Sequence, residues 1–216
     1  MRVLITGASG QLGAYLLQHY ATRGVSTVAW SGSSTGELCG VALEPVDLER
    51  EDEIERHFDR ATPELIIHSA AVSVVGDAYQ NPARARAINT TATARLAQLA
   101  ADRNCRMVYI STDMVFDGEQ GNYKERDEAN PLSVYGKSKL DGEASVLALP
   151  AGLVIRVSLL FGTSLIGRPT FVQQLLQAIG QGQPFRLFDD EWRTPLELET
   201  AAESIAIAAE SETIGL

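Results

Sequence analysis

The chain has 216 residues, 45% of them hydrophobic, and a formal net charge of −10. This length indicates one large domain, or one domain with a small appendage, with enough apolar residues for a sizeable core. The negative charge argues against a nucleic-acid surface, which needs clustered lysine and arginine. No apolar run approaches the roughly 18 residues of a membrane span.

Two cysteines, Cys39 and Cys105, have neither metal-ligand spacing nor the pattern of a disulfide framework. They predict reduced thiols in a reducing compartment. Because the chain opens directly on a strand pattern, we expect no signal peptide. These features together predict a soluble cytoplasmic protein.

The apolar run Val3–Ile5 predicts a strand buried on both faces, and the turn TGASGQLG and a helical pattern follow it. Strand, glycine-rich turn and helix in this order are typical of a dinucleotide-binding opening. Gly7 permits the tight turn, Gly10 leaves room for a pyrophosphate, and Gly13 lets the helix pack closely on the strand. The helix N-terminus offers free N–H groups and partial positive charge to the phosphates.

Strand and helix patterns then alternate along the chain. Further strands are predicted at residues 26–30, 41–46, 65–71, 106–111 and 153–159, and helices at 47–61, 81–103 and from 133 to before 150. Strands that alternate with crossover helices indicate a doubly wound parallel sheet, the α/β arrangement of a Rossmann fold. We predict a dinucleotide-binding domain over residues 1–160 and a small substrate-facing lobe over residues 161–216, and the end at Leu216 leads us to expect an incomplete or minimal lobe.

The end of the second predicted strand bears on which dinucleotide binds. An acidic residue there would bond the adenosine ribose 2′-hydroxyl and favour NAD. Here the strand ends at Trp30 and Ser31, and Gly32, Ser33 and Ser34 follow, so hydroxyls rather than a carboxylate would meet a 2′-phosphate. There is also no arginine in this segment. We therefore expect NADP(H), with NAD(H) left open, and an ordinary polar loop is the alternative interpretation.

Tyr135 and Lys139, four residues apart in YGKSK, share one face of a predicted helix. A carbonyl reductase needs a proton donor, and a tyrosine with a pKa of about 10 needs help at neutral pH. We predict that the Lys139 ammonium lowers the pKa of Tyr135. Thr112 lies at the end of the strand RMVYIS, where its hydroxyl can bond a substrate oxygen. Surface residues of a helix and a turn that closes a strand are the structural alternatives.

Six segments follow one another in the order TGASGQLG, HSAA, AINTTAT, YISTDMVFDG, YGKSK and RVSLLFG. This order resembles that of extended short-chain dehydrogenase/reductases, and GASGQLG and STDMVFDG are most similar to their dTDP-4-dehydrorhamnose reductase branch. The resemblance implies that Thr112, Tyr135 and Lys139 form the catalytic set. With Ser31 from the strand argument, the expected cofactor contacts are Gly7, Gly10, Gln11, Leu12, Gly13, Ser31, Asp47, Leu48, Ala70, Ala71, Asn89, Tyr135 and Lys139.

Val115, Phe116 and Arg193 are the predicted substrate contacts, with Arg193 expected to bind a substrate diphosphate because it is the one cation of an acidic turn. Adjacent acids in that turn are expected to be solvated, so no metal site is predicted. His68 is expected to belong to a buried strand rather than to act as a base. Leu159 stands where the branch usually has a tryptophan, which changes the expected sugar contact.

The leading hypothesis is an NADP(H)-dependent reductase of a nucleotide-linked 4-keto sugar. One alternative is a sugar-nucleotide epimerase or dehydratase that retains its cofactor. The other is a non-catalytic dinucleotide-binding subunit, since a regulatory subunit of methionine adenosyltransferase resembles the same branch. A nucleotide sugar is the expected partner, nucleic acids and membranes are not expected partners, and a homodimer is left open.

Overall fold

The computed structural model describes residues 1–216, and a seven-stranded sheet lies at its centre. The strands of this sheet are β1 (Arg2–Thr6), β2 (Ser26–Ser31), β3 (Glu37–Leu38), β4 (Val41–Pro45), β5 (Leu65–His68), β6 (Arg106–Thr112) and β7 (Gly152–Val157). A separate pair is formed by β8 (Leu160–Phe161) and β9 (Leu196–Glu197). The α-helices are α1 (Gln11–Thr22), α2 (Glu51–Ala61), α3 (Val75–Gln80), α4 (Pro82–Arg86), α5 (Ala92–Asp102), α6 (Val134–Leu147), α7 (Phe171–Gly180) and α8 (Leu198–Glu210).

The strand order is β3-β4-β2-β1-β5-β6-β7, and every neighbouring pair is parallel except β3 and β4. The predicted doubly wound parallel sheet is therefore confirmed. The chain builds outward from β1 in both directions, through β2 on one side and β5 on the other. Such a reversal of strand order opens a crevice at the carboxyl ends of the strands, where ligands bind in this fold class.

Apolar residues form two core clusters, one on each face of the sheet. Val3 and Ile5 of β1 belong to one cluster, and Leu4 between them belongs to the other. All three side chains are fully buried. A central strand covered on both faces has no solvent-facing position, which explains its continuous apolar run.

Helix α8 packs against α1 and belongs to the same core cluster. Leu17 and Tyr20 of α1 share that cluster with Ile205 of α8. At the end of this contact, Arg23 donates two hydrogen bonds to the carboxylate of Glu210, at 2.7 and 3.0 Å. The chain after residue 160 is therefore divided between a small lobe and the helical layer of the sheet.

None of the helices combines the length and the apolar character that crossing a lipid bilayer requires.

Candidate active site

A cleft of about 1090 Å³ runs along the carboxyl ends of the central strands. The glycine-rich turn forms one end of the cleft, and α6 contributes Tyr135 and Lys139 to its wall. The predicted cofactor residues that line it are Gly7, Gly10, Gln11, Leu12, Gly13, Ser31, Asp47, Leu48, Ala70, Ala71, Tyr135 and Lys139. The fold thus gathers into one cleft residues that are scattered over most of the sequence.

The glycine-rich turn is shaped by close backbone contacts. Gly7 has a φ of +68°, and a Cβ on it would lie 2.7 Å from the Ala70 nitrogen. A Cβ on Gly13 would overlap the Gly7 carbonyl. Gly10 begins α1 without any side-chain hydrogen bond to its first turn. The N–H groups of that turn are therefore available to an anion such as a pyrophosphate.

Helix α6 lies very close to the strand end that it faces. Ser133 begins the helix, and its hydroxyl accepts a hydrogen bond of 2.9 Å from the Gly136 nitrogen. A Cβ on Gly136 would overlap the Met114 carbonyl, and one on Gly142 would lie 2.5 Å from the Asn89 carbonyl. These two glycines let α6 approach β6, which brings Tyr135 beside Thr112.

The electrostatics of Tyr135 differ from the sequence-based expectation. Burial raises the pKa of Tyr135 most; the nearby Thr112 hydroxyl lowers it, the charge of Asp113 raises it, and the charge of Arg193 lowers it. The net pKa is raised, so the predicted lowering by Lys139 is wrong for the free protein. The largest cause is the burial of Tyr135. Lys139 is itself buried, which lowers its pKa to about 7 and leaves it only partly charged at neutral pH.

Lys139 occupies a buried position that opens only toward the cleft. It is 1% exposed, and its Nζ lies 3.9 Å from the centroid of the Tyr109 ring. The carboxylate of Glu143, one helical turn along α6, raises the pKa of Lys139 against the effect of burial. A desolvated ammonium above an aromatic face is held in place electrostatically. Lys139 is thereby fixed in the wall of the cleft.

Asn89 lies behind the cleft rather than in its wall. It is fully buried in a π-helical segment (Ala87–Thr91) between α4 and α5. Its amide nitrogen donates to the Val72 carbonyl at 3.1 Å and the Ser138 hydroxyl at 2.9 Å, and its Oδ1 accepts from the Val72 nitrogen at 2.8 Å. Asn89 therefore links the segment at Val72 to α6 from behind the cleft.

His68 is a buried structural residue, as expected. Its Nδ1 accepts a hydrogen bond of 2.6 Å from Thr6, and its Nε2 lies 2.9 Å from the Thr93 hydroxyl. Thr93 in turn donates to the Asn89 carbonyl, so Nε2 carries the proton of the ring. Burial lowers the pKa of His68 to about 3. The ring is therefore neutral and links β1 and β5 to the helix behind the cleft.

The predicted substrate residues are placed differently from expectation. Arg193 donates to both carboxylate oxygens of Asp113, at 2.9 and 3.2 Å, so its guanidinium is held by the protein rather than presented to a diphosphate. Val115 is fully buried. Phe116 stacks on Tyr123, with ring centroids 4.4 Å apart. All three side chains are thus engaged within the protein, and none of them lines the cleft.

Ser31 also has an internal role. It is 2% exposed, and its hydroxyl donates to the Ser34 carbonyl at 2.5 Å. That bond uses the one proton a serine could give to a phosphate. Ser31 therefore shapes the loop after β2, although it lines the cleft.

The family model described as "RmlD substrate binding domain" matches residues 1–214 of the chain. The chain belongs to this family. It is 35% identical over 202 residues to a Haloferax volcanii protein named probable low-salt glycan biosynthesis reductase Agl14, covering 90% of this chain and 66% of that protein. It is 33% identical over 220 residues to a dTDP-4-dehydrorhamnose reductase of Mycobacterium tuberculosis, covering 99% of this chain and 67% of that enzyme.

A relative of different function also matches: methionine adenosyltransferase 2 subunit beta of Bos taurus is 34% identical over 163 residues, which are 74% of this chain and 47% of that subunit. Among solved structures, a dTDP-4-dehydrorhamnose reductase of Bacillus anthracis in complex with NADP superposes with a TM-score of 0.84 at 25% identity, covering 99% of this chain and 72% of that one. The chain thus spans about two thirds of the length of the Haloferax and Mycobacterium relatives and about half of the length of the methionine adenosyltransferase subunit.

In this RmlD-family chain, a buried ion pair that no sequence pattern predicted joins α6 to β7. Arg156 donates to both carboxylate oxygens of Glu143, at 3.0 and 2.7 Å, and Ser111 also donates to Glu143. The Arg156 guanidinium lies 4.9 Å from the centroid of the Phe116 ring. The four-residue spacing of Glu143 from Lys139, which places both on one helix face, was a sequence signal for half of this pair. Arg156, the partner of Glu143 on β7, has no comparable signal in the sequence.

Proposed function

We propose that this protein is an NADPH-dependent reductase of a nucleotide-linked 4-keto sugar, of the dTDP-4-dehydrorhamnose reductase type. One observation carries the proposal: Tyr135 and Lys139, one helical turn apart on α6, line the same cleft as an open glycine-rich turn. A cofactor site and a proton donor that share one cleft are what carbonyl reduction requires.

The cofactor contacts follow from the shape of the cleft. The free N–H groups at the start of α1 receive the pyrophosphate, and the missing side chain of Gly10 lets it approach the backbone. Asp47 and Leu48 border the adenine end, and Ala70 and Ala71 lie beside the middle of the cofactor. When bound, the nicotinamide supplies the hydride that reduces the keto carbon.

Three side chains serve the keto oxygen and the ribose. Tyr135 gives its proton to the oxygen, and the Thr112 hydroxyl bonds the same oxygen and orients the tyrosine. Lys139 holds the ribose hydroxyls, and its ammonium then favours the phenolate that Tyr135 becomes after giving up its proton.

The lobe formed by β8, α7 and β9 provides the substrate side of the proposed site. The pair β8 and β9 and the helix α7 stand beside the cleft, and Leu160, Pro169 and Gln174 line it. We assign this lobe to the nucleotide end of the substrate. The free thiols of Cys39 and Cys105 are consistent with a location in the reducing cytoplasm. A homodimer stays a prediction, to be checked by sedimentation.

The test is net oxidation of NADPH by purified protein given dTDP-4-dehydrorhamnose. The expected product is the 4-hydroxy sugar nucleotide, formed in equal amount to the NADP⁺. Tyr135→Phe is the matched control, because it keeps the ring and removes the hydroxyl. A changed sugar without net cofactor oxidation would instead identify an epimerase or dehydratase.

The relative named as a methionine adenosyltransferase subunit keeps the non-catalytic alternative in view. A binding subunit has no need of a tyrosine and a lysine one helical turn apart in the wall of a cofactor cleft, so the site favours the enzyme. Tight NADPH binding without turnover of any nucleotide-linked keto sugar would favour the subunit.

A further inference from the structure

A second recess opens beside the cleft, at the expected position of the adenosine ribose. Its volume is about 450 Å³, and its polar wall comes from Ser9 of the glycine-rich turn, Ser33 and Ser34 after β2, Glu37 of β3 and Arg168 of the lobe. Arg168 also lines the main cleft, so it stands where the two spaces join.

Arg168 is held in this place through its backbone. The side-chain amide of Gln11, in the glycine-rich turn, donates a hydrogen bond of 2.6 Å to the Arg168 carbonyl, across 157 residues of sequence. Any residue at position 168 would supply that carbonyl. The guanidinium itself is exposed and takes part in none of the ion pairs of the protein. It is therefore available to a ligand.

The recess needs a cation if it is to hold a phosphate. The loop after β2 contains no arginine or lysine, and the Ser31 hydroxyl is already bonded to the Ser34 carbonyl. Glu37 places a carboxylate in the same wall, which disfavours a phosphate and suits a ribose hydroxyl. Arg168 and Glu37 thus favour different cofactors from within one recess.

We propose that Arg168 is the residue that recognises the 2′-phosphate of NADP(H), and that Glu37 acts against this preference. The inference rests on the proposed dinucleotide site and adds the source of its specificity. A guanidinium and the hydroxyls of Ser33 and Ser34 together provide a charge-assisted, several-donor site for one phosphate. The cation that the β2 loop lacks is supplied from the opposite side of the cleft.

The experiment is calorimetric titration of the full chain with NADPH and with NADH, for the wild type and four variants. Arg168→Ala removes the cation but keeps the carbonyl that Gln11 binds. Arg168→Lys keeps the charge and removes the planar fork. Glu37→Gln removes the opposing charge. Arg186→Ala is the control, since Arg186 is also an exposed arginine of the lobe but lines neither space.

Arg168→Ala is expected to weaken NADPH binding about ten- to a hundredfold and to leave NADH binding within about twofold. Arg168→Lys should lie between, Glu37→Gln should tighten NADPH alone, and Arg186→Ala should match the wild type. Equal weakening for both dinucleotides would place Arg168 on the shared pyrophosphate and overturn the proposal, as would no weakening at all. If the wild type binds neither dinucleotide, the proposed function fails and this inference fails with it.

Discussion

Arg193 and Asp113 form a two-point ion pair across 80 residues of sequence, with N–O distances of 2.9 and 3.2 Å. Asp113 follows Thr112 directly, and Ser158 donates a further hydrogen bond of 2.5 Å to the same carboxylate. The pair joins the lobe to the strand end that carries Thr112. Both side chains are about one third exposed, at 28% and 32%, so the pair is not sealed from water.

Arg193→Met should lower turnover about tenfold, because it leaves the Asp113 carboxylate uncompensated beside Tyr135 and loosens the lobe. The loss should be equal for a nucleotide-linked keto sugar and for a small ketone without a diphosphate. Steady-state kinetics on both substrates make the comparison. A loss confined to the nucleotide sugar would return Arg193 to the role of a diphosphate ligand.

The double variant Asp113→Asn with Arg193→Met tests whether the two residues act together. Residues in direct contact typically show coupling energies of roughly 0.5–3 kcal/mol in such a cycle. We expect the double variant to be less impaired than the sum of the two single variants. Strict additivity would mean that the ion pair has no energetic role in turnover.

Tyr135→Phe should lower turnover by about a hundredfold or more, the usual contribution of a general acid. Cofactor affinity should change little, since the aromatic ring and Lys139 remain. Stopped-flow reduction and calorimetric binding of NADPH measure the two quantities separately. Full activity of this variant on a confirmed substrate would exclude Tyr135 as the proton donor.

Lys139→Met should stabilise the protein below neutral pH. The pKa of Lys139 is about 7 in the folded chain, whereas an unfolded lysine has a pKa of about 10.4. Between those values the unfolded state binds more protons, so this group makes the free energy of unfolding rise with pH. Below the folded-state pKa, Lys139 is charged in both states, so the full free-energy cost of burying its ammonium is present. Lys139→Met removes that cost.

Urea unfolding at about pH 6, 8 and 10 should show the advantage of Lys139→Met shrinking as the pH rises. Lys137→Met is the matched control on the same helix, since its side chain is 63% exposed and paired with Asp141. That control should show no comparable dependence on pH. A constant difference between Lys139→Met and the wild type would contradict a desolvated ammonium at this position.

Gly136→Ala should destabilise the protein by roughly 1–3 kcal/mol, the usual effect of overpacking a close contact. A Cβ there meets the Met114 carbonyl, which is backbone and cannot swing away. Gly180→Ala, in α7, meets nothing within 4 Å and should be neutral or slightly stabilising. Chemical denaturation of both variants gives the comparison, and similar effects at the two positions would refute the close approach of α6.

The parts of the site that sequence predicted are those with local signals. The strand, turn and helix around Gly7–Gly13 can be recognised because each element is specified by adjacent residues. Tyr135 and Lys139 share a helix face for the same reason. The continuous apolar runs of the central strands likewise predict burial on both faces, and the two core clusters have that arrangement.

The parts of the fold and of the site that the sequence did not predict depend on contacts between distant segments. The predicted helix over 81–103 exists, but a π-helical segment interrupts it at Ala87–Thr91, where no glycine or proline marks the change. That interruption buries Asn89 behind the cleft. The partners of Arg193 and Gln11 are set by how the lobe lies on the sheet. No local pattern encodes those pairings.

The most direct test of the account follows deuterium from NADPH labelled at the transferable nicotinamide position into the sugar. With dTDP-4-dehydrorhamnose as substrate, mass spectrometry should find one deuterium on the former keto carbon of the product. Tyr135→Phe should slow this transfer about a hundredfold or more. A reduced product without deuterium, or complete retention of the label on the cofactor during sugar conversion, would contradict the reductase mechanism.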